Sequence, residues 1–135
     1  MKTPSSIKYY MARDLVTFTP ETNVLSAIRT LIKHKISGAP VVDETGWIVG
    51  IISEFDCLKP ILESSYHNDQ GVHVESCMTK DITTINANAS LMDAATLFLN
   101  NGWRRLPVIE NKKLVGQISR IDILRAILDK GETVE

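Results

Sequence analysis

The residues best placed to do chemistry come as a repeated pattern, Gly-x-x-Ser-x-x-Asp, at Gly50, Ser53 and Asp56 and again at Gly116, Ser119 and Asp122. An apolar run ends at each serine, and a helical pattern starts after it. The pattern therefore sits where a strand hands over to a helix. The unpaired N–H groups of a first helical turn attract an anion. A serine hydroxyl there can bond a phosphate oxygen. A carboxylate one turn on can accept bonds from ribose hydroxyls. The same spacing also writes a plain capping box. Recurrence does not choose between the two, because a cap would duplicate as readily as a ligand cradle.

Two further groups join it. Ahead of the apolar run that opens each hairpin stand Ile36-Ser37-Gly38-Ala39-Pro40 and Trp103-Arg104-Arg105-Leu106-Pro107. Adjacent arginines beside a proline-fixed strand start can clamp a phosphate through two donors each. Arg120, inside the second Ser-x-x-Asp, adds a cation where the first copy has Glu54. The positive charge thus gathers in the second copy, which points to one good phosphate site rather than two equal ones. The third group is Val16-Thr17-Phe18-Thr19 with its copy Thr83-Thr84-Ile85-Asn86. An edge strand there can offer backbone groups to a purine. Phe18 reads as core, and Trp47 and Trp103 are alternative stacking surfaces.

Other chemistries find little. His34, His67 and His73 are scattered, and their spacing to Cys77 matches no standard zinc pattern. There is no nucleophile elbow, no Walker lysine loop and no dinucleotide glycine fingerprint. Neither Cys57 nor Cys77 has an activating neighbour in sequence. No acid–base pair stands out, so the reading is of a protein that is not an enzyme.

These residues need elements to hold them, and the chain supplies each element twice. Met11 falls on Met78, Asp14 on Asp81, Thr17 on Thr84, Ala27 on Ala94 and Pro40 on Pro107, at an offset of 67. One residue is then lost from the second turn, and Gly50, Ser53, Asp56 and Leu58 fall on Gly116, Ser119, Asp122 and Leu124. Repetition of this kind outranks any local signal. Each copy reads as β-α-β-β-α. A short extended piece leads to an amphipathic helix with Val24, Ile28, Leu31 and Ile32, or Leu91, Ala94, Ala95, Phe98 and Leu99, at helical spacing. Ser90 with Asp93 caps the second of these, and Asn100-Asn101-Gly102 stops it. A hairpin follows, through Asp43-Glu44-Thr45-Gly46 or Glu110-Asn111-Lys112-Lys113. The last helix carries a predicted apolar stripe of Leu124, Ile127 and Leu128, and its first-copy equivalent is expected to kink or end at Pro60.

Composition agrees with a folded, soluble chain. Of 135 residues, 44% are hydrophobic and 23% charged, with a net charge of −1. That balance gives no footprint for nucleic acid or an anionic membrane. The longest apolar run, Trp47–Ile52, is far short of the ~20 residues that cross a bilayer. Met1–Tyr10 lacks the apolar stretch of a secretory leader, so the expectation is a cytoplasmic protein with two reduced thiols.

Together the two copies resemble CBS repeats, the regulatory units named after cystathionine β-synthase. The marks are Met-x-x-Asp (Met11, Asp14; Met78, Asp81), apolar-x-Pro-Val at Pro40 and Pro107, and the Gly-apolar-Ser-x-x-Asp endings. Read this way, residues 1–10 are an N-terminal segment, 11–62 and 78–128 the repeats, 63–77 a linker and 129–135 a tail. The resemblance implies an α/β (α+β) fold, two β-α-β-β-α repeats stacked about a pseudo-twofold axis, with ligands between the repeats. It implies an adenine nucleotide (AMP, ADP, ATP or S-adenosylmethionine) as regulatory ligand, with no required cofactor and no metal. Asp56 and Asp122 would then hold ribose, and Ser53 and Ser119 would approach phosphate. Arg104, Arg105 and Arg120 would neutralise phosphate charge, while Thr17, Thr84, Gly38 and Ala39 would border the base. The first copy departs from that pattern at Ser37, Gly38 and Glu54, so its site is expected to be empty or to take a less charged ligand. The resemblance further implies a homodimer joined through helices and an unidentified regulated protein as partner. The competing reading is a ligand-free interaction and dimerisation scaffold in which Ser-x-x-Asp only caps helices.

Overall fold

The computed structural model describes residues 6–63 and 71–134, with side chains as far as Asp129. His67 and the polar linker residues 68–70 lie outside the described part. The chain divides into two compact units. The continuous unit is Val16–Ile82. The split unit combines the described parts of Met1–Leu15 and of Thr83–Glu135.

In the continuous unit, α1 (Val24–His34) leads to the antiparallel hairpin β1 (Gly38–Val42) and β2 (Ile48–Ser53), followed by α2 (Glu54–Glu63). The extended piece before α1 contributes one parallel bridge, Phe18 to Val41, made by Phe18 N–H to Pro40 O at 3.0 Å and Val42 N–H to Phe18 O at 2.8 Å. Asn23 caps α1 by accepting from Leu25 N–H, a start signal that apolar spacing does not carry. Phe18, Val24, Ala27, Leu31, Val41, Ile52 and Cys57 form the core. Asp43 organises the hairpin turn, accepting from the N–H groups of Thr45 and Trp47.

The split unit repeats the plan. A two-residue strand β3 (Ile85–Asn86) pairs in parallel with β4 (Arg105–Glu110), which pairs antiparallel with β5 (Lys113–Ser119). The helices are α3 (Leu91–Asn101) and α4 (Arg120–Val134). Ser90 and Asp93 make the expected capping box, and Gly102 ends α3 with φ of 67°, the left-handed cap that glycine adopts without strain. Asn111 and Lys112 both have positive φ, the signature of a two-residue type I′ hairpin.

Each unit is completed by a strap from the other copy of the sequence. The single turn Ile7–Tyr9 and the Met11-Ala12 segment belong to the split unit, and Ala12 pairs with Gln117 of β5. The equivalent turn Val74–Ser76 and Met78-Thr79 belong to the continuous unit, and Thr79 pairs with Ile51 of β2. Ile7 and Val74, equivalent residues outside the 11–62 and 78–128 repeats, are both fully buried. The glycine of each Ser-x-x-Asp motif makes room for this crossing. A Cβ on Gly50 would lie 2.6 Å from Met78 Sδ, and one on Gly116 would lie 2.5 Å from Met11 Sδ and 2.8 Å from Ala12 O.

Three expectations need correction. Pro60 does not end α2; the helix runs on to Glu63, because a proline at this depth removes one intrahelical bond while Cys57 stays anchored in the core. The predicted stripe of α4 points outward: Leu124, Ile127 and Leu128 are exposed, and Ile123 and Ala126 face the core. Ile32 and Leu99 are likewise exposed, at 72% and 85%. Among the described residues no helix is long and apolar enough to cross a membrane.

Candidate functional site

The two Ser-x-x-Asp motifs have nearly the same geometry. Ser53 N–H donates to Asp56 Oδ2 at 3.0 Å, and Asp56 N–H donates to Ser53 Oγ at 3.1 Å. The corresponding distances at Ser119 and Asp122 are 2.9 and 3.2 Å. These are reciprocal capping boxes. The box leaves other capacity open. Each serine oxygen is used as an acceptor, so its proton is not consumed by the cap. Each carboxylate commits Oδ2 to the cap, and Oδ1 retains acceptor sites.

The remaining partners of the carboxylates differ. Thr79, on the strap, donates its hydroxyl to Asp56 at 3.3 Å. Its equivalent, Ala12, has no hydroxyl to offer. Asp122 instead takes Arg125, one helical turn on, at 3.1 Å. Sequence spacing contained these contacts only as a threonine at the start of the second repeat and an Arg three residues after Asp122. The first depends on the strap crossing, which no local pattern announces.

The sheets collect the other candidates at the same end as each box. Gly38 is the cross-strand partner of Ser53, Ala39 of Ile52, and Glu54 N–H donates to Ser37 O at 2.8 Å. Thr17 precedes the Phe18 bridge and is exposed beside them. In the split unit Arg105 pairs with Ser119, and Arg120 N–H donates to Arg104 O at 3.1 Å. Thr84 precedes Ile85, the partner of Val108. The structure thus brings Thr17, Gly38, Ala39, Ser53 and Asp56 to one sheet end, and Thr84, Arg104, Arg105, Ser119, Arg120 and Asp122 to the equivalent end of the other unit. Arg104, Arg105 and Arg120 are all exposed, and Arg125 forms an ion pair with Asp122. Phe18 is core, Trp103 packs partly buried against the split unit's core, and Trp47 is largely exposed.

The thiols are free. Burial, with the Cys77 and Asp56 charges adding to it, pushes the Cys57 thiol up to about 11. Cys77 is raised as well, again chiefly by burial. No cluster of three metal-ligating side chains occurs among the described residues, and His34 is exposed on α1.

The CBS domain family profile matches residues 6–63 and 74–129. An uncharacterised 17.7 kDa protein of Acidianus ambivalens is 35% identical over 82% of this chain and 65% of its own length. The chloroplastic CBS domain-containing protein CBSX1 of Arabidopsis thaliana is 30% identical over 85% of this chain and 60% of its own. The chain therefore spans less than two thirds of these relatives. Among solved structures, CBSX2 in complex with AMP superposes with a TM-score of 0.79 at 30% identity, covering 93% of this chain and 98% of that one. The CBS domain pair of protein MJ0100, in complex with 5′-methylthioadenosine and S-adenosyl-L-methionine, gives 0.73 at 26% identity, covering 95% and 99%. Both halves of the sequence carry the match and both fold as a helix, a hairpin and a second helix, with a first strand in the split unit and a single bridge at Phe18 in its place in the other, so this chain belongs to the CBS domain family.

Proposed function

We propose that the chain is a regulatory module that senses an adenine nucleotide and performs no catalysis of its own. The observation that carries this is the duplicated constellation: a serine with a proton to donate, a carboxylate whose Oδ1 can accept a further bond beside its Thr79 or Arg125 contact, and a sheet end beside them, in both units. CBSX2 with AMP and the MJ0100 pair with 5′-methylthioadenosine and S-adenosyl-L-methionine give the ligand class. Asp56 and Asp122 hold ribose hydroxyls through Oδ1. Ser53 and Ser119 donate to phosphate. Arg104, Arg105 and Arg120 neutralise the phosphates in the split unit, whereas Glu54 repels them in the continuous one. Thr17, Thr84, Gly38 and Ala39 border the base. Ligand binding acts by its differential affinity for two arrangements of the chain.

The protein works in a reducing cytoplasm as a homodimer and hands its signal to a partner protein. Phe55, Leu58, Leu62, Leu99, Leu124 and Leu128 are exposed on the helices, apolar side chains that a dimer would cover. The second reading, a ligand-free scaffold, draws on the complete capping boxes, which explain Ser-x-x-Asp without a ligand.

Thermal shift with AMP, ADP, ATP and S-adenosylmethionine at millimolar concentration separates the two. A ligand at a hundred times its Kd stabilises by about 2.7 kcal/mol. The sensor reading requires a clear rise with at least one of the four, lost or weakened at least about tenfold in Asp122→Ala by direct titration. No rise with any of them leaves the scaffold.

A further inference from the structure

We propose that the continuous unit carries a further small-molecule site, a pocket between the last turns of α2 and the strap that binds a free α-amino acid with an apolar side chain. Its residues are not those of the nucleotide cradle, so it stands or falls apart from the nucleotide reading.

Lys59 and Glu63 of α2, Ser76, Cys77 and Met78 of the strap, and Val72 just ahead of it line a pocket of about 520 Å³. That volume suits a small molecule. Both walls are held in place without a ligand. Cys57 anchors α2 in the core, and Val74 is fully buried at the root of the strap. Val72 O accepts from Val24 N–H at 2.9 Å, and Thr79 N–H donates to Ile51 O at 2.8 Å. All of these residues belong to the one compact unit Val16–Ile82.

The other copy of the sequence shows what opens this space. At the offset of 67, Ser76 and Cys77 are the equivalents of Tyr9 and Tyr10. Tyr10 packs partly buried against the core of the split unit. Two small side chains thus stand where the first strap has two phenols. The helix differs as well. Lys59 is the equivalent of Arg125, which turns back one helical turn to pair with Asp122 at 3.1 Å. Asp56 takes the Thr79 hydroxyl at 3.3 Å instead, and Lys59 lines the pocket.

The lining selects a ligand that carries both signs of charge. Lys59 and Glu63 are four residues apart on one helix face, about 5–6 Å between Cβ atoms. Long side chains at that spacing reach the two adjacent charged ends of a single amino acid. Lys59 takes its carboxylate and Glu63 its ammonium. Ser76 donates its own proton to His73 O at 2.8 Å, so its oxygen has acceptor capacity left, which suits the ammonium again. An anion alone would set its charge against Glu63, and a cation alone would set its charge against Lys59. A neutral apolar molecule would cover both heads and pair neither. Val72, Cys77 and Met78 supply the rest of the wall. Burial holds the Cys77 thiol above its ordinary value, so it stays protonated and adds soft, uncharged surface for an aliphatic or thioether side chain.

The test is calorimetric titration of the full chain, with no nucleotide present, by L-leucine and L-methionine. At least one should bind at millimolar concentration or below. N-acetyl-L-leucine lacks the ammonium and L-leucinamide lacks the carboxylate, and each should bind at least about tenfold more weakly than L-leucine. Lys59→Gln and Glu63→Gln alter exposed side chains and should fold as the parent does. Lys59→Gln should bind L-leucine and L-leucinamide alike, and Glu63→Gln should bind L-leucine and its N-acetyl form alike, because each substitution removes the partner of the group that the analogue lacks. Cys77→Tyr copies the other strap into this one and should abolish binding with the circular dichroism spectrum unchanged. No heat from either amino acid at millimolar concentration overturns the site. Binding that ignores both charge substitutions, or that does not distinguish the analogues, overturns the amino-acid assignment.

Discussion

Cys57 shows how burial governs the behaviour of a side chain. Its thiol is 3% exposed and its proton is held up to about 11, whereas an ordinary thiol loses it near 9. The thiolate is the reactive species. In the native protein Cys57 should therefore resist iodoacetamide at pH 8 and be alkylated fully only in denaturant, as intact-mass measurement will show. The same shift carries a pH dependence. Below pH 9 neither folded nor unfolded chain ionises this group. Between about 9 and 11 the unfolded chain releases the proton and the folded one keeps it, so stability falls as pH rises across that window. Urea titrations at pH 8 and pH 10.5 should give a lower midpoint at the higher pH, with the difference smaller in Cys57→Ala. The two capping boxes were legible in the sequence, since Ser-x-x-Asp after an apolar run specifies both a location and a geometry. Thr79 and Arg125 were not. One reaches Asp56 through a crossing of distant segments, and the other looks like any surface arginine on a helix.

The strands and helices were legible to the extent that their signals are local. Apolar spacing located α1 and α3, the Ser-x-x-Asp motifs marked where α2 and α4 begin, and polar turns located both hairpins. What spacing could not tell is which of two apolar faces turns inward. In α4, Ile123 and Ala126 compete with Leu124, Ile127 and Leu128, and the larger side chains lost because the small Ala126 allows close approach to the sheet. A helix apolar on both sides has no single stripe to read. Gly50 and Gly116 seemed part of a phosphate cradle by their place in the motif. Their packing gives them another task, admitting a methionine and a carbonyl of the crossing strap. Gly116→Ala and Gly50→Ala should each cost about 1–3 kcal/mol by overpacking, measured by urea denaturation. The second hairpin offers a gain instead. Lys112 holds φ of 69° in a type I′ turn, a conformation glycine adopts freely, so Lys112→Gly should stabilise by about 0.5–1 kcal/mol in the same assay.

The division of the chain into units differs from its division into repeats, and that difference was invisible to self-alignment. Duplication shows which segments are alike; it does not show whether a segment packs at home or away. Here both straps pack away. Ile7, with no exposed surface, is bonded through its N–H to Ala89 O at 2.9 Å, and Ser6 bonds Ala87 O. The two units should therefore separate unequally. A fragment of residues 16–82 contains its own strap and should give dispersed amide resonances. A fragment of residues 83–135 lacks Ile7 and Met11 from its core and should stay unfolded until a peptide of residues 1–15 is added. Folding of the second fragment without the peptide would show the strap to be dispensable.

This exchange of straps also bears on synthesis. The ribosome makes the amino-terminal strap first, yet its seat on β5 exists only after residue 119 has emerged. Residues 16–82, by contrast, hold everything their unit needs once residue 82 has emerged. The nascent chain must then carry Ile7 and Met11 unburied until β5 has been made, long after the unit between them has found shelter.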